Sequence, residues 1–322
     1  EYIVQQAGEN PYHIVTTAMH MSIEDVARIF HDKFDFPPNR SPEEITSFVR
    51  GLLREKFKNA DIGITGCNFI VADIGGIALT ENEGNGVLSY SFPKVHIVVA
   101  GIEKIIPSMG DLDTFWPLLS VHGTGQYMTV YNSLVLGPRL DDEIDGPEEM
   151  YVVLLDNGRS ELLKNLKQRE ALNCIRCGAC LNACPVYKNI GGHTYGTTYS
   201  GPIGAVVTPH MKSMENYKHL SFASSLCGRC TEVCPVNIPL HEMLLQNRND
   251  SVEQGLTTSS ERMTMKGWKK TMKSRKMMDL AGGNVKNIAL RQVFSKAWGN
   301  RRDLPEFADK SFKKLYRKRK ST

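Results

Sequence analysis

Apolar positions at helical spacing fill the N-terminal region, and each set begins at a residue that favours a helix start. Ser22–Asp25 has a capping-box pattern and predicts a helix that ends near Phe34. Ser41–Glu44 combines an N-cap serine, a first-turn proline and a third-position glutamate, and it predicts a second helix to about Lys58. The apolar residues of this second helix share one face, which indicates packing against a core.

Short apolar runs bounded by Gly, Asn and Pro follow the two helices and predict β-strands. The predicted strands are Ile62–Val71, Gly76–Thr80, Val95–Ala100, Gln126–Leu136 and Met150–Leu155. Leu112–Val121 lies between them and has a helical pattern. Strands that alternate with helices predict a layered α/β domain.

From residue 159 onward the pattern becomes helical and then basic. Arg159–Asn173 predicts a helix, and Gly191–Pro209, rich in Gly, Pro, Thr and Tyr, predicts a long loop. Ile238–Gln246 again predicts a helix. Two amphipathic segments, Met263–Leu280 and Val285–Trp298, lie in the polar and basic C-terminal part.

The composition of the 322-residue chain is that of an ordinary globular protein, with 41% hydrophobic and 23% charged residues. This excludes collagen-like, mucin-like and wholly disordered classes. The longest clean apolar run, Val95–Ile102, is far shorter than the ~20 residues that a membrane-spanning helix needs. No basic segment followed by an apolar one opens the chain, so we expect no signal peptide. The first residue is Glu1 rather than Met, which suggests a fragment or a trimmed form.

The net charge of +4 is distributed unevenly. Residues 261–322 contain 19 Lys/Arg and 5 Asp/Glu, whereas the rest of the chain contains 20 and 30. The basic run Lys313–Lys320 could bind nucleic acid or a membrane surface. Aromatic residues are sparse there and no nucleic-acid motif accompanies the charge. We therefore expect a solvated tail or a dock for an acidic partner subunit, and no nucleic-acid partner.

Cysteine is the residue type with the most informative pattern, because seven of the eight cysteines lie between residues 174 and 234. Cys174, Cys177, Cys180 and Cys184 follow the spacing C-x2-C-x2-C-x3-C and precede Pro185. This spacing is typical of bacterial-type ferredoxins. Three thiolates on a tight loop can hold three corners of a cubane, and the fourth is carried toward a neighbouring cluster.

A second, shorter motif repeats this pattern. Cys227, Cys230 and Cys234 have the spacing C-x2-C-x3-C, again followed by proline. When the two motifs are aligned, Ser224 stands at the position of the first cysteine, Cys174. The second motif therefore lacks one cysteine.

Together the motifs predict two iron–sulfur clusters, since the fourth cysteine of each run ligates the other cluster in two-cluster ferredoxins. The predicted ligands are Cys174, Cys177, Cys180 and Cys234 for the first cluster and Cys184, Cys227 and Cys230 for the second. The second cluster is either a three-iron cluster, or a four-iron cluster completed by Ser224 or water, or one completed by Cys67. Cys67 ranks lowest, because a lone cysteine in an apolar run is usually a small buried hydrophobe.

A zinc site is the structural alternative to the two clusters. Zinc ribbons pair two C-x2-C units at a separation of roughly 15–20 residues, whereas here a triplet and a fourth cysteine precede a second set that also ends in Cys-Pro. The pattern favours iron–sulfur chemistry. Two neighbouring clusters carry single electrons, so the chain is expected to be one segment of a redox relay.

These motifs and several short stretches resemble the B component of the bacterial lactate-utilization iron–sulfur protein family. The resemblance covers about Asp61 to Leu245. The matching stretches are Ala72–Gly76, Pro93–Val99, Gly125–Gln126 with Thr129 and Tyr131, Gly137–Arg139, Asp156–Arg159, Gly201–Gly204 and the two cysteine motifs. Family members carry more sequence before Asp61, so the resemblance implies a chain that is truncated at its N-terminus.

The resemblance implies three regions. Residues 1–158 would form an α/β LUD domain similar to the NagB/RpiA/CoA-transferase-like fold, and residues 159–250 a mostly α-helical dicluster ferredoxin domain. Residues 251–322 would form a basic helical or flexible tail. The family also implies a cytoplasmic complex with an A-type cysteine-rich subunit and a C-type LUD subunit, which together oxidise L-lactate to pyruvate.

Three further places in the sequence have both a functional and a structural interpretation. Thr80–Gly86 resembles the glutamate loop of CoA transferases, but an acidic solvated turn is the favoured interpretation. His122–Gln126 could bind a carboxylate or a phosphate through backbone N–H groups, or it could simply end a helix with Gly123 at the C′ position. His96, in an apolar strand, is expected to be a core or edge histidine.

The leading functional hypothesis is an electron-transfer subunit of an L-lactate-oxidising complex, in which the catalytic residues are unknown. The alternative is an iron–sulfur subunit of another dehydrogenase or of a heterodisulfide-reductase-like complex. A third class is a zinc-stabilised scaffold or a lone CoA-transferase-like enzyme. Metal analysis separates the third class from the first two.

Overall fold

The computed structural model describes residues 1–299 and 303–320. The chain forms two compact units, of which the first spans Glu1–Gln254 and the second begins at Gly255. The division at residue 158, between an α/β region and a cysteine region, stays a prediction. Parts of the basic tail at residues 300–302 and 321–322 lie outside the described residues.

Helices make up somewhat less than half of the first unit. Its helices are α1 (Tyr2–Ala7), α2 (Ile23–Phe34), α3 (Pro42–Lys58), α4 (Asn85–Ser91), α5 (Leu112–Thr124), α6 (Arg159–Lys164), α7 (Ala179–Ala183), α8 (Pro185–Ile190), α9 (Gly201–Met211), α10 (Met214–Phe222), α11 (Arg229–Glu232) and α12 (Leu240–Glu253). Short 3-10 helices lie at Ile102–Lys104, Met109–Asp111, Arg169–Asn173 and His193–Tyr195.

Two small sheets accompany these helices. Their strands are β1 (Ile62–Thr65), β2 (Phe69–Val71), β3 (Gly76–Glu81), β4 (Val95–Gly101), β5 (Ile105–Ile106), β6 (Tyr131–Val135) and β7 (Glu149–Leu155). One sheet has the order β1-β4-β7 and is parallel throughout. The other has the order β5-β2-β3-β6, in which β3 pairs antiparallel with both neighbours and β2 pairs parallel with β5.

The two predicted helix starts are confirmed. The backbone N–H of Asp25 donates to the Ser22 hydroxyl at 3.1 Å, and that of Glu44 donates to the Ser41 hydroxyl at 3.3 Å. In both helices the acidic side chain also accepts from the backbone N–H of the serine, which completes a capping box. Local sequence is sufficient here because all the partners lie within one helical turn.

Several predicted elements are wrong in extent. The single strand Ile62–Val71 is divided into β1 and β2, which belong to different sheets. The run Gln126–Leu136 is a strand only over β6. The predicted helix Arg159–Asn173 is interrupted after α6 and resumes as a 3-10 helix. Tertiary pairing sets these boundaries, and an apolar pattern alone cannot indicate which sheet a residue joins.

Two loops were also interpreted wrongly. The second half of the predicted loop Gly191–Pro209 is helix α9, whose residues from Gly201 to Pro209 are all buried. A buried helix shows no amphipathic period, so its Gly and Pro content dominated the prediction. The predicted acidic turn Thr80–Gly86 ends within the first residues of α4, which begins at Asn85. Helix α5 continues past Gly123 and ends at Gly125, which has φ +76°.

The core that surrounds the cysteines is built around α9. Helices α7, α10 and α12 pack against it, with Leu181, Val206, Leu220 and Leu244 fully or almost fully buried. A second apolar cluster joins β2 and α5 to the first cysteine motif through Ile175 and Cys177. The cysteine region and the α/β region therefore share a hydrophobic core inside the first unit.

The second unit consists of helices and connecting segments in its described part. Its helices are α13 (Ser259–Met272), α14 (Arg275–Met278), α15 (Gly283–Trp298) and α16 (Phe312–Lys320). Four basic residues form the last turn of α16. Across residues 1–299 and 303–320, no helix is both long and apolar enough to cross a membrane.

A glycine in β1 provides a test of the packing between β1 and α4. A Cβ at Gly63 would lie 1.7 Å from the Ser89 backbone oxygen, whereas one at Gly51 in α3 meets no atom within 4 Å. We expect Gly63→Ala to lower the free energy of unfolding by about 3 kcal/mol through overpacking. Gly51→Ala should raise it by about 0.5–1 kcal/mol through helix propensity. Urea unfolding measures both, and equal stabilities would contradict the close packing of β1 on α4.

Candidate iron–sulfur centre

The first cysteine motif folds as a tight loop followed by a short helix. Cys174 follows the 3-10 helix that ends at Asn173, and the loop then contains two residues with positive φ, Arg176 at +65° and Gly178 at +81°. Helix α7 begins directly after this loop and carries Cys180. The left-handed residues turn the chain sharply enough to direct side chains from the loop and the helix to a common centre.

The second motif repeats this conformation. Leu226 and Gly228, which align with Arg176 and Gly178, have φ values of +55° and +82°. Helix α11 then carries Cys230, as α7 carries Cys180. The repeat seen in the sequence is thus also a repeat of backbone geometry, and it extends one residue to either side of the aligned cysteines Cys177 and Cys227.

Both motifs end in a cysteine whose sulfur accepts a backbone hydrogen bond. The Tyr187 N–H donates to Cys184 Sγ at 3.5 Å, and the Ile238 N–H donates to Cys234 Sγ at 3.4 Å. Hydrogen bonds to ligand sulfurs are among the features that set the potential of an iron–sulfur cluster. The Cys-Pro sequence creates the arrangement at Cys184, because Pro185 starts helix α8 and the sulfur then faces its free N–H groups.

Four cysteines from the two motifs line one cavity. They are Cys174, Cys177, Cys180 and Cys234, and the rest of the wall is formed by Gly178, Pro235 and aliphatic residues that include Ile14, Ile203 and Leu240. The first three sulfurs therefore come from one motif and the fourth from the other. This is the combination that the spacing assigned to the first cluster.

The remaining motif cysteines interact with one another electrostatically. Burial, together with the neighbouring Cys184 and Cys227, raises the pKa of Cys230 to about 11. Cys184 is half-buried and Cys227 is exposed. The predicted ligands of the second cluster thus lie near each other, with one of them open to solvent.

Ser224 and Cys67, the two side chains considered as fourth ligand of the second cluster, lie in different surroundings. The Ser224 hydroxyl accepts the Leu226 N–H at 3.1 Å, so Ser224 stays next to the second motif. Cys67 is buried in another apolar cluster with Ile77 and Val98. Burial raises the pKa of Cys67 to about 11, which makes it an unreactive thiol.

Burial also controls the protonation of the cysteines that line the cavity. It raises the pKa of Cys177 to about 11 and that of Cys180 well above the ordinary thiol value. Without a metal ion these sulfurs therefore stay protonated near neutral pH. A positively charged metal centre must displace the protons to form thiolates, so metal binding and folding are coupled here.

The spacing of the sulfurs does not match zinc. Tetrahedral zinc with Zn–S bonds near 2.3 Å requires sulfurs that lie about 3.8 Å apart. Within residues 1–299 and 303–320, only Glu9, His20 and His193 form a group of three or more metal-ligating side chains with ligand atoms inside 4.8 Å. Within that part of the chain, no three cysteine sulfurs form such a group.

Three buried N–H donors around the first motif have no acceptor among the described residues. They are His13 Nε2, Trp116 Nε1 and Arg176 Nη1. Arg176 lies within the motif, His13 Nε2 would lie 3.3 Å from a Cβ at Gly178, and Trp116 packs on the apolar cluster that contains Cys177. Cluster sulfides and thiolates accept hydrogen bonds. The orphaned donors therefore fit an iron–sulfur group in this place.

The position of the proton on His13 follows from its backbone contacts. Its Nδ1 accepts the N–H groups of Val15 at 3.1 Å and Thr16 at 3.2 Å. Since Nδ1 is an acceptor, the ring proton lies on Nε2. Burial lowers the pKa of His13, which favours this neutral ring. Sequence reasoning missed His13, because nothing in the local sequence connects it with a motif so far along the chain.

A buried ionic network joins this motif to the α/β region. Glu103 accepts hydrogen bonds from Arg159 and, at 3.3 Å, from Arg176. The Arg176 guanidinium also lies 4.4 Å from the ring centroid of Tyr199. The Glu103 side chain is only 3% exposed. One carboxylate thus serves two guanidinium groups, which leaves excess positive charge beside Cys174 to offset thiolates.

The three other candidate places, the acidic turn, the His122–Gln126 segment and His96, make contacts within the protein. The Glu81 carboxylate accepts the N–H groups of Gly86 and Val87 at 2.7 and 2.8 Å, so it caps α4. Gln126 Oε1 accepts from Asn82 Nδ2 at 2.9 Å. His96 is buried, and its Nε2 lies 2.8 Å from the Thr65 hydroxyl. The interpretation of His96 as a core residue is therefore confirmed.

Two family models match the chain. A LUD domain matches residues 2–155, and a 4Fe-4S dicluster domain matches residues 170–238. The dicluster match contains both cysteine motifs, with Cys174 near its beginning and Cys234 near its end. The chain is therefore a LUD domain followed by a 4Fe-4S dicluster domain.

Curated relatives match most of the chain. Lactate utilization protein B of Bacillus pumilus (strain SAFR-032) is 44% identical over 99% of this chain and 70% of its own length. The Bacillus subtilis (strain 168) protein of the same name is 46% identical over 83% of this chain and 56% of its own length. The Bacillus cereus (strain AH187) protein of that name is 48% identical over the same shares. The chain thus spans between 56% and 70% of the length of these relatives.

Among solved structures, a duf162 family protein from Deinococcus radiodurans matches with 18% identity and a TM-score of 0.24. The match covers 31% of this chain and 56% of the other. A likeness at this TM-score carries no argument about the fold.

The ionic network predicts that removing the charge of Glu103 destabilises the protein more than removing the charge of Glu161. Glu103→Gln leaves two buried guanidinium groups without their carboxylate and should lower the free energy of unfolding by about 3–5 kcal/mol. Glu161→Gln, which breaks an exposed pair with Lys164, should cost less than about 0.5 kcal/mol. Chemical unfolding of the cluster-loaded protein measures both values. Similar losses for the two variants would contradict the role of Glu103.

Proposed function

The chain belongs to the lactate utilization protein B family, and on that basis we propose that it is the iron–sulfur electron-transfer subunit of a complex that oxidises L-lactate to pyruvate. The observation that carries this proposal is the single cavity lined by cysteines of both motifs, which lies within the 4Fe-4S dicluster match. The names of the relatives connect the family with lactate. Because the chain spans only part of their length, the activity of the whole complex is part of the proposal.

The proposed ligands follow the two groups of cysteines. One 4Fe-4S cluster would be held by Cys174, Cys177, Cys180 and Cys234, and the other by Cys184, Cys227 and Cys230. The second is a three-iron cluster or a four-iron cluster with Ser224 or water as its fourth ligand. Such clusters exchange single electrons without binding most organic substrates.

The residues of the chain would control the environment of the clusters. The aliphatic wall that includes Ile14, Ile203 and Leu240 excludes water from the first site. Arg176 and Lys104 bring positive charge to its α/β side, and burial lowers the pKa of Lys104. Positive charge stabilises thiolates and a reduced cluster relative to the oxidised one. These side chains thus tune the site without touching lactate.

The proposal includes partners, a location and a finer fold. The partners implied by the family resemblance are an A-type cysteine-rich subunit and a C-type LUD subunit, and a chain that only transfers electrons needs a donor and an acceptor. No disulfide joins any of the eight cysteines, which is compatible with a reducing cytoplasm. We also propose a NagB/RpiA/CoA-transferase-like fold for residues 1–158 and a helical ferredoxin fold for residues 159–250.

The test of this function uses the complex of the chain with both partner subunits, purified without oxygen. L-lactate should reduce the clusters, which electron paramagnetic resonance (EPR) detects, and pyruvate should appear in proportion. D-lactate and another 2-hydroxy acid are the matched controls. Reduction by a different substrate, with none by L-lactate, would favour the alternative of another dehydrogenase complex.

Cysteine variants test the ligand assignment. Cys234→Ser should remove the iron of the first cluster, and Cys184→Ser should alter the second, because each terminal cysteine is assigned to the other motif's cluster. Cys67→Ser is the control and should keep the full iron content, since Cys67 lies in a separate apolar cluster. Iron and sulfide counts with EPR of both oxidation states measure the result. Loss of iron in Cys67→Ser would overturn the assignment.

His13 tests the role of the orphaned donors. His13→Asn keeps a short acceptor for the Val15 and Thr16 N–H groups but removes the Nε2 donor. We expect a lower reduction potential for the first cluster, because N–H···S hydrogen bonds stabilise the more negative, reduced state. A redox titration followed by EPR measures the potential, with His31→Asn on the exposed face of α2 as control. An unchanged potential in His13→Asn would rule out this hydrogen bond.

A further inference from the structure

Two histidines and a glutamate from distant parts of the chain converge outside the cysteine region. Glu9 and His20 lie in the segment between α1 and α2, and His193 begins the 3-10 helix between α8 and α9. Each side chain offers one ligand atom, and these atoms lie within 4.8 Å of one another. Within the described residues this is the only group of its kind among Cys, His, Asp and Glu side chains.

An aromatic residue holds the two imidazoles in place. The Tyr12 ring stacks on His20 with a centroid distance of 4.7 Å and meets His193 edge-on at 5.2 Å. The His20 and His193 rings are themselves 5.0 Å apart and nearly perpendicular. The Tyr12 carbonyl accepts the Tyr187 hydroxyl at 2.7 Å, which anchors the segment to the buried core. The two imidazoles are therefore oriented by ring packing, although all three ligand side chains are exposed.

The hydrogen bond of His193 is of the kind that orients metal-binding histidines. Its Nε2 lies 2.7 Å from the Asn10 backbone oxygen, which can only accept, so Nε2 carries the proton. This leaves a lone pair on Nδ1. Metal-ligating histidines usually donate their second N–H to a carbonyl or a carboxylate, which fixes the tautomer and the ring orientation.

The site opens onto a cavity. Glu9 and His193 line a cavity of about 490 Å³ together with Thr197 and Lys212. A metal ion held by three protein ligands on one side would thus keep a coordination position that faces solvent. Two imidazoles and one carboxylate with an open fourth position is an established ligand set of zinc.

We propose that Glu9, His20 and His193 bind one divalent first-row transition metal ion of the Zn²⁺ type, with water in the remaining position. His20 Nε2 and Glu9 Oε2 are 2.7 Å apart in the ion pair. Bonds of 2.0–2.1 Å in tetrahedral geometry separate two ligand atoms by about 3.3 Å, so a shift of roughly 0.6 Å at the exposed Glu9 carboxylate admits the ion.

The consequence of binding is a clamp between the N-terminal segment and the cysteine region. Residues 9–20 lead from α1 to α2 and include His13, which lies against Gly178 of the first motif. The loop with His193 connects α8 to α9, the helix at the centre of the cysteine core. A metal ion that joins the two segments stabilises this contact by an amount that depends on the free metal concentration.

The experiment measures Zn²⁺ bound to the protein with its iron–sulfur clusters loaded, so that the cysteines are already ligated. After equilibrium dialysis against a series of Zn²⁺ concentrations, zinc and iron are counted in the same sample by mass spectrometry. We expect one zinc per chain at saturation with the iron count unchanged. His193→Ala and Glu9→Gln should each weaken binding at least tenfold, and Zn²⁺ should raise the Tm of the parent chain but not of the variants.

The matched control is His31→Ala, which removes an exposed histidine from α2 and should bind zinc like the parent chain. Two results would overturn the proposal: no zinc bound beyond the iron, or equal affinity in His193→Ala, Glu9→Gln and the control. Glu9→Gln provides a second test if His193→Ala does not fold, because the Glu9 side chain is exposed and its loss of charge leaves the backbone intact.

Discussion

The convergence of cysteines from two separate motifs on one apolar cavity is the constraint on which the rest of the first unit depends. Cys234 lies beside the first motif only because helices α7, α11 and α12 pack together around α9. Burial raises the pKa values of Cys177 and Cys180, so this packing is unfavourable for isolated thiolates. A metal centre removes that conflict, since it replaces the protons by positive charge. Folding of this region therefore depends on the positive charge that a bound metal centre supplies to the buried sulfurs.

The surroundings of the cavity meet the same requirement. Arg176 provides positive charge and an N–H donor, and Glu103 fixes it without neutralising both neighbouring guanidinium groups. The His13 ring, in the N-terminal segment, contributes a neutral N–H donor. An apolar wall strengthens all of these interactions because it keeps the effective dielectric constant low. The α/β region thus contributes to the cysteine site through Glu103 as well as through shared apolar packing.

The sequence predicted features that depend on residues close together along the chain, and it was wrong where the structure depends on distant contacts. The capping boxes at Ser22 and Ser41 were predicted because their partners lie three residues away. The cysteine spacing groups Cys234 with Cys174, Cys177 and Cys180, which line one cavity with it, while the ligand assignment itself stays a prediction. The strand Ile62–Val71 was wrong because its two halves pair in different sheets. Helix α9 was missed because burial on all sides leaves no periodic pattern.

The sequence by itself determined the class of chemistry and the local structure that supports it. Motif spacing, residues such as Gly178 and Gly228 at left-handed positions, and terminal Cys-Pro pairs are all encoded within a few residues. Only the tertiary structure decided which donors and charges surround the cavity, namely His13, Glu103 and Trp116, and that Glu9, His20 and His193 meet. These contacts join segments that are far apart along the chain. Their geometry depends on how helices and sheets pack, which no local pattern specifies.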